Sequence, residues 1–268
     1  MQQARTVPSG VVEHNSCLAA AIGAYREWTA SGPIADHVAC LWTHALPCSA
    51  IPALQVIPDG CVDIIWAEGS LRVAGPDTGP ITECFAPGTK IVGLRFRPGA
   101  APPWLGVPAL EIVNRRVPLQ EFWGTDARRL ADRLSETVEP VDAAAVMLSA
   151  LCARQPRAGL TDRAAPTILA AIRRDDGASA RIPALANDLG LSERTLRRRC
   201  ENAFGYGPKT LERILRFQRF LKLLRRPAAP GLAQLAMESG FADQAHLTRE
   251  VRSLGGATPA AFMRQLAA

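Results

Sequence analysis

Three arginines just after residue 192 have the spacing and chemistry to hydrogen-bond with base edges. The segment Glu193–Phe204 predicts a helix, and Ser192 is placed to accept a hydrogen bond from its first turn. Apolar residues at i, i+4, i+7 and i+8 predict a buried stripe of Leu196, Cys200, Ala203 and Phe204. Arg194, Arg197 and Arg198 fall on or near the opposite surface, and arginine suits bidentate contact with guanine. We interpret Ser192 and these arginines as DNA-binding residues.

A second segment about fifty residues later has a complementary set of side chains. Residues 244–254 predict a helix with Asp243 as its N-cap and three apolar residues on its buried side: Leu247, Val251 and Leu254. The exposed face carries Gln244, Ala245, Thr248 and Arg249. Gln can pair with adenine, Arg with guanine, and the methyl groups of Thr and Ala can touch thymine. These four complete the predicted DNA-binding set.

Each of these helices follows a short helix and a tight turn containing glycine. Residues 182–189 predict the first short helix and 190–192 its turn, while Leu232–Ser239 and 240–243 repeat the arrangement. Two helices joined in this way are typical of a helix-turn-helix, whose second helix enters the DNA major groove. Two copies suggest two adjacent grooves.

The segment 209–226 predicts the helix that joins the two copies. Its apolar residues are interleaved with basic ones and form a face wide enough to pack on both copies. Eighteen helical residues span roughly 27 Å, comparable with the about 34 Å helical turn of DNA. Pro227 should end this spacer helix, because proline cannot continue the hydrogen-bond ladder.

Charge is distributed unevenly along the 268 residues. Residues 1–155 carry 12 Lys and Arg against 15 Asp and Glu, whereas residues 156–268 carry 19 against 10. The basic part contains both predicted helix-turn-helix units, and such an excess favours a polyanionic partner. No exposed basic amphipathic helix indicates a membrane surface, so nucleic acid is the preferred partner.

The N-terminal part has the pattern of an antiparallel β structure. Short segments rich in β-formers and bounded by Pro and Gly predict strands at 37–46, 54–57, 61–67, 71–74 and 91–97. We predict a small cupin-like β-barrel or sandwich, preceded by a short helix at 17–28 and followed by helices at 119–123, 126–138 and 141–155. The predicted organisation is a β-rich domain at 1–118, a helical connector at 119–158 and a DNA-binding domain at 159–268.

Few residues suggest catalysis or metal binding. The seven cysteines are scattered and include no Cys-x-x-Cys pair, and His37 and His44 would point to opposite faces of one strand. Cys61 could be a reactive thiol if Arg95 or Arg97 lowered its pKa. Four tryptophans are candidates either for core packing or for lining an apolar pocket: Trp42, Trp66, Trp104 and Trp123. We expect no metal and no cofactor.

Over roughly residues 162–266 the sequence resembles the AraC/XylS-type transcriptional regulators. The resemblance is carried by Gly190-Leu-Ser192, Gly205-Tyr-Gly-Pro208, Gly240-Phe241, Leu247-Thr-Arg249 and Gly256-Ala-Thr-Pro259. It implies a bipartite seven-helix DNA-binding domain whose groove-reading helices are Glu193–Phe204 and 244–254. Cys200 and Val251 stand where the family usually has Phe.

The N-terminal half resembles an uncharacterised sensor-like domain found fused to such DNA-binding domains. Pro58-Asp-Gly-Cys-Val-Asp63, Ala74-Gly-Pro76 and Gly93-Leu-Arg-Phe-Arg-Pro-Gly-Ala100 carry this likeness, with Trp66 and Leu105-Gly-Val-Pro108. The resemblance implies ligand sensing or dimerisation and names no ligand.

We therefore predict an α+β, cytoplasmic, non-enzymatic transcription regulator. Its partner is a double-stranded DNA operator, with a small-molecule effector, RNA polymerase and a second copy of the chain as further candidates. The alternative is a DNA-tethered enzyme, or a redox- or alkylation-responsive protein, that uses Cys61.

Overall fold

The computed structural model describes residues 11–12, 22–49, 53–174, 182–226 and 230–267. Within them the N-terminal half contains strands β1 (Val11–Val12), β2 (Ala24–Thr29), β3 (Val38–Ala45), β4 (Leu54–Val56), β5 (Val62–Ala67), β6 (Ser70–Ala74), β7 (Ile81–Glu83), β8 (Lys90–Phe96) and β9 (Arg116–Pro118). The helices of this half are α1 (Pro102–Leu105), α2 (Gln120–Trp123), α3 (Thr125–Ser135) and α4 (Pro140–Cys152).

The described strands of the β-rich half form two antiparallel sheets. Seven strands pair in the order β1-β2-β3-β8-β5-β6-β9, and β4 pairs with β7 in a second sheet. In the described part of the chain the long sheet does not close on itself, so the fold fits the sandwich-like alternative and not a closed barrel. The predicted α+β class is confirmed.

The prediction of a helix at 17–28 is wrong for residues 24–29. These residues form β2, which pairs with β3 along its whole length, from Ala24 opposite Ala45 to Thr29 opposite Cys40. The continuous ladder satisfies the backbone of β3 on that side and outweighs local helix propensity. Residues 17–21 of the predicted helix lie outside the described residues.

Strand β8 is central to the long sheet, because it pairs with both β3 and β5. Its alternation is as predicted: Val92, Leu94 and Phe96 join the core under the helices, whereas Arg95 lines a cavity on the other face. Helices α3 and α4 cover the first face and contribute buried residues such as Leu130 and Met147 to the same core. The sheet is thus covered on one face by helices and on the other by β4 and β7.

Within 159–174, 182–226 and 230–267 the C-terminal half contains seven α-helices, the number that the family resemblance implies. They are α5 (Ala165–Arg174), α6 (Ile182–Asp188), α7 (Glu193–Phe204), α8 (Pro208–Leu224), α9 (Leu232–Ser239), α10 (Gln244–Gly255) and α11 (Pro259–Ala267). They share one hydrophobic core, in which Phe217 of α8 is fully buried. Its ring stacks on Phe220 at 6.5 Å and meets the edge of Phe262 at 6.1 Å.

The two halves touch along a seam that includes several glycines. A Cβ on Gly99 would lie 2.7 Å from Phe204 at the end of α7, and one on Gly205 would lie 2.6 Å from Val113. Near the end of α10, a Cβ on Gly256 would lie 3.3 Å from Pro80. The β-rich half therefore contacts both helix-turn-helix units.

The contact between Trp42 and Gly93 should be sensitive to a single methyl group. A Cβ on Gly93 would lie 2.0 Å from Cε2 of the Trp42 indole. We expect Gly93→Ala to lower the free energy of unfolding by about 1–3 kcal/mol, as overpacking of a core does. Urea unfolding followed by tryptophan fluorescence measures the change. The matched control, Gly159→Ala, places its methyl in open space and should stay within about 0.5 kcal/mol; equal stability of the two variants would contradict this assignment.

Candidate nucleic-acid interface and cavity

Helix α7 begins and ends where the sequence predicts. Gly190 adopts φ +63° in the turn before it, and the Ser192 hydroxyl accepts a hydrogen bond from the Thr195 amide at 3.2 Å. Leu196 and Cys200 are completely buried. Cys200 is smaller than the Phe that the family usually has at this position. Because it is fully buried, α7 stays anchored in the core.

The predicted contact residues of α7 are on its solvent-facing side. Arg194, Arg197 and Arg198 are exposed. Arg197 pairs with Glu201 at 2.8 Å, yet its side chain remains 73% exposed. Arg194 and Arg198 form no ion pair within the described part of the chain, so their guanidinium groups are available for a partner.

Helix α10 has the same local construction. Asp243 accepts a hydrogen bond from the His246 amide at 2.6 Å, which confirms it as the N-cap. The predicted apolar face is buried to 0% exposure: Leu247, Val251 and Leu254.

The opposite side of α10 carries the remaining predicted contacts. Gln244, Ala245 and Arg249 are exposed, and Thr248 is half-buried. The Thr248 hydroxyl donates to the Gln244 carbonyl at 2.8 Å.

His246 is a packing residue of the second unit. Its ring meets Phe241 edge-on at a centroid distance of 5.4 Å, and its Nδ1 accepts a hydrogen bond from the Ala242 amide at 3.4 Å. These contacts fix the turn before α10. His246 therefore does not belong to the exposed face that carries Gln244, Ala245 and Arg249.

Helix α8 connects the two units and is held on several sides. Its 17 residues span about 26 Å. Arg213 pairs with Glu250 of α10 at 2.7 Å, and Arg219 donates to the Arg173 carbonyl at the end of α5 at 2.6 Å. The helix ends at Leu224, and Pro227 lies outside the described residues. Such a cross-linked spacer fixes the separation of the two units.

A cavity of about 180 Å³ lies between the long sheet and the β4–β7 sheet. Its apolar lining includes Tyr25, Trp42, Ile65 and Phe85. Of the four tryptophans considered from sequence, Trp42 lines this cavity, whereas Trp104 and Trp123 are buried in the core under the helices and Trp66 packs against that core.

The polar floor of the cavity is a network around Asp63. Arg95 donates to both oxygens of this carboxylate, from Nε at 3.0 Å and from Nη2 at 3.1 Å, and Trp42 Nε1 donates at 3.2 Å. Burial raises the pKa of Asp63, and the charge of Arg95 opposes that rise. Asp59 accepts from the Cys61 amide at 2.8 Å in a turn and lies 3.5 Å from Arg95.

A second ionic cluster lines the same cavity. Arg116 contacts Asp77 at 2.9 Å and Glu83 at 2.6 Å, and Arg72 contacts Glu83 at 3.0 Å. Burial is the main cause of the raised pKa of Asp77. All three arginines of the cavity are thus paired with carboxylates.

The electrostatic surroundings of Cys61 oppose the hypothesis that it is a reactive thiol. Burial, followed by the nearby Asp59 charge, raises the pKa of the Cys61 thiol well above its ordinary value. Arg95 acts in the lowering direction that the hypothesis requires, but it is the smaller effect and is bonded to Asp63. Arg97 instead donates to the Ala35 carbonyl. The thiolate that nucleophilic chemistry needs is disfavoured.

Trp42 was considered from sequence as a possible pocket residue and does line the cavity, but the link between the cavity and the spacer helix was not predicted. Gln218 of α8 also lines the cavity, and its side-chain amide donates to the Pro58 carbonyl at 2.6 Å. The sequence did contain an indication of this site. The segment Pro58-Asp-Gly-Cys-Val-Asp63, which carries the resemblance of the N-terminal half to a sensor-like domain, contributes residues to the cavity. Nothing in the local sequence indicates that Gln218, 160 residues away, meets this turn.

Two family models match the chain. Residues 185–265 match a helix-turn-helix domain, and residues 26–118 match a domain of unknown function, DUF6597. The C-terminal half contains an AraC-type helix-turn-helix domain. This domain supports a DNA-binding transcription regulator.

Solved structures of ToxT from Vibrio cholerae are similar to this chain at 12% sequence identity. One of them covers 85% of this chain and 99% of ToxT at a TM-score of 0.48. Another, bound to an unsaturated fatty acid, covers 83% and 91% at a TM-score of 0.43. No curated protein matches the chain in sequence. Within the described residues, no helix has the length and apolar character to cross a membrane.

The raised pKa of Cys61 predicts slow alkylation. At pH 8 its thiolate fraction should be far below that of an ordinary cysteine, because the pKa is raised. We expect iodoacetamide to label exposed Cys48 and Cys84 while Cys61 stays largely unlabelled in the folded protein. Peptide mass spectrometry measures the extent of labelling at each cysteine. Unfolding in urea should make the labelling of all three cysteines equal. Labelling of Cys61 as fast as Cys84 in the folded state would restore the thiol hypothesis.

Proposed function

We propose that this regulator binds its operator in a sequence-specific manner by placing α7 and α10 in successive major grooves. The observation that carries the proposal is the pair of capped helices with exposed arginine and glutamine side chains, joined through one spacer. The about 26 Å length of α8 is of the order of the about 34 Å that separates successive groove faces.

Each predicted contact has a role that follows from its chemistry. Arg194, Arg197 and Arg198 suit guanine, and Gln244 suits adenine. Ala245 and the Thr248 methyl suit thymine, Arg249 suits guanine, and Ser192 orients the first turn of α7.

We further propose that the N-terminal half modulates DNA binding through the seam. Its loops contact the end of α7 at Phe204 and the end of α10 at Gly256. A ligand or a dimer contact that shifted these loops would change the relative position of the two recognition helices. Such an effect requires different affinities of the effector for the two arrangements. RNA polymerase and a second copy of the chain stay predicted partners.

Substitution of base-contacting arginines should weaken binding in a sequence-dependent way. We expect Arg194→Ala and Arg249→Ala each to cost about 1–3 kcal/mol at particular base pairs, and total binding to fall steeply with salt. Gel shifts with operators selected from a random library, repeated on single-base variants, measure both effects. Arg129→Ala on α3, whose side chain is 78% exposed, is the matched control and should bind normally. Equal losses on every DNA sequence would assign these arginines to phosphate contacts.

The Gln218 hydrogen bond should transmit operator binding to the β-rich half. All five tryptophans lie between residues 28 and 123, so a change in tryptophan emission on DNA binding reports coupling across the seam. We expect Gln218→Leu to reduce that change while operator affinity stays within about threefold, a small coupling energy. The control is Gln120→Leu, at an exposed position of α2. An undiminished emission change in Gln218→Leu would show that other contacts carry the coupling.

A further inference from the structure

The cavity in the β-rich half has the size of a small ring compound. Its volume is about 180 Å³, slightly above the roughly 150 Å³ of an engineered cavity that binds benzene. A ring with one or two additional heavy atoms fits this space. The volume therefore favours a compact ligand.

The apolar wall favours a flat ring. The rings of Tyr25 and Trp42 lie 5.9 Å apart and are tilted by 30°. Trp42 is held flat against Gly93 and anchored by its hydrogen bond to Asp63. Aromatic faces positioned in advance of binding lose little freedom when a ligand packs on them.

The charges of the cavity disfavour an anion. Its described lining contains three arginines and four carboxylates, so the formal sum is one negative charge. The carboxylates are Asp59, Asp63, Asp77 and Glu83. A ligand carboxylate would have to displace one of them from its arginine.

Asp59 is the carboxylate least satisfied by this network. Both oxygens of Asp63 are hydrogen-bonded to Nε and Nη2 of Arg95, so Asp59 is left with the more distant Nη1 at 3.5 Å. Its side chain is 31% exposed, which is more than that of Asp63 at 14%. An ammonium group beside Asp59 would balance the surplus charge.

Arg72 presents the one feature that favours an electron-rich group. Its Nε is buried without a partner in the described residues. The same guanidinium is paired with Glu83 at 3.0 Å and lies over the Phe85 ring. A neutral oxygen on the ligand could accept from Nε, while a full negative charge would also meet the Glu83 carboxylate.

We propose that this cavity binds a small aromatic cation, with its ring against Tyr25 and Trp42 and its protonated amine on Asp59. The position of Asp59 gives binding a route to the DNA-binding half, because the neighbouring Pro58 carbonyl accepts the hydrogen bond from Gln218 of the spacer helix. The role of the ligand as an effector rests on the proposed function, whereas its binding does not.

Three probes of nearly equal shape test the charge preference. Isothermal titration calorimetry on the full chain at pH 7 compares benzylamine, benzyl alcohol and benzoate. We expect benzylamine to bind about tenfold more tightly than benzyl alcohol, as one ion pair of moderate strength would produce, and benzoate not to bind. Benzylamine should also change the tryptophan emission. Benzoate binding as tightly as benzylamine, or the absence of binding by all three probes, would overturn the proposal.

Asp59→Asn tests the assigned position of the amine. The amide oxygen of Asn can still accept from the Cys61 amide, so the turn is retained while the charge is removed. We expect benzylamine affinity to fall about tenfold, to the level of benzyl alcohol, whose affinity should be unchanged. Asp132→Asn, at an exposed position of α3, should bind all probes as the parent does. Unchanged benzylamine affinity in a folded Asp59→Asn protein would refute the assignment, and the probe ranking on the parent chain does not depend on this variant.

The effect on DNA is measured separately. In the parent, the operator affinity measured by gel shift should differ with and without saturating benzylamine. In Gln218→Leu the two affinities should agree. If calorimetry succeeds and operator affinity does not respond, the cavity site stands and the effector role fails. If the chain binds no DNA at all, the proposed function fails while the calorimetric result still decides the ligand class.

Discussion

The buried side of α8 is the constraint on which the C-terminal half depends. Phe217 packs against Phe220 and Phe262 in the middle of the helical core, and neighbouring residues of α8 bond to α10 and α5. Because interiors are close-packed, a helix held on this many sides cannot rotate or slide by small amounts without disturbing its neighbours. The two recognition helices therefore keep a defined separation, and any change between them has to occur as a discrete rearrangement.

The sequence predicted the C-terminal half almost to the residue. Glu193–Phe204 and Leu232–Ser239 have the predicted bounds, and both N-caps form the expected hydrogen bonds. Local signals sufficed because helix caps, glycine turns and a period of 3.6 residues are encoded within a few positions. The base contacts themselves stay predictions.

The β-rich half was less predictable, for a physical reason. Strand β2 was expected to be helical, and its conformation follows from its pairing with β3, not from its own residues. The cavity is likewise assembled from distant segments: Asp63 meets Arg95 across 32 residues and Pro58 meets Gln218 across 160. Periodicity identifies which face of a strand is apolar, but it does not specify which other strand supplies the opposite wall.

The separation of charge between the two halves has a consequence for how the molecule meets a duplex. An acidic N-terminal part joined to a basic C-terminal part forms an electric dipole, with 12 positive against 15 negative groups at one end and 19 against 10 at the other. In the field of a polyanion such a dipole experiences a torque before any contact is made. The acidic end turns away, so that collisions begin with the arginine-rich helices facing the phosphates and a larger share of encounters starts in a productive orientation.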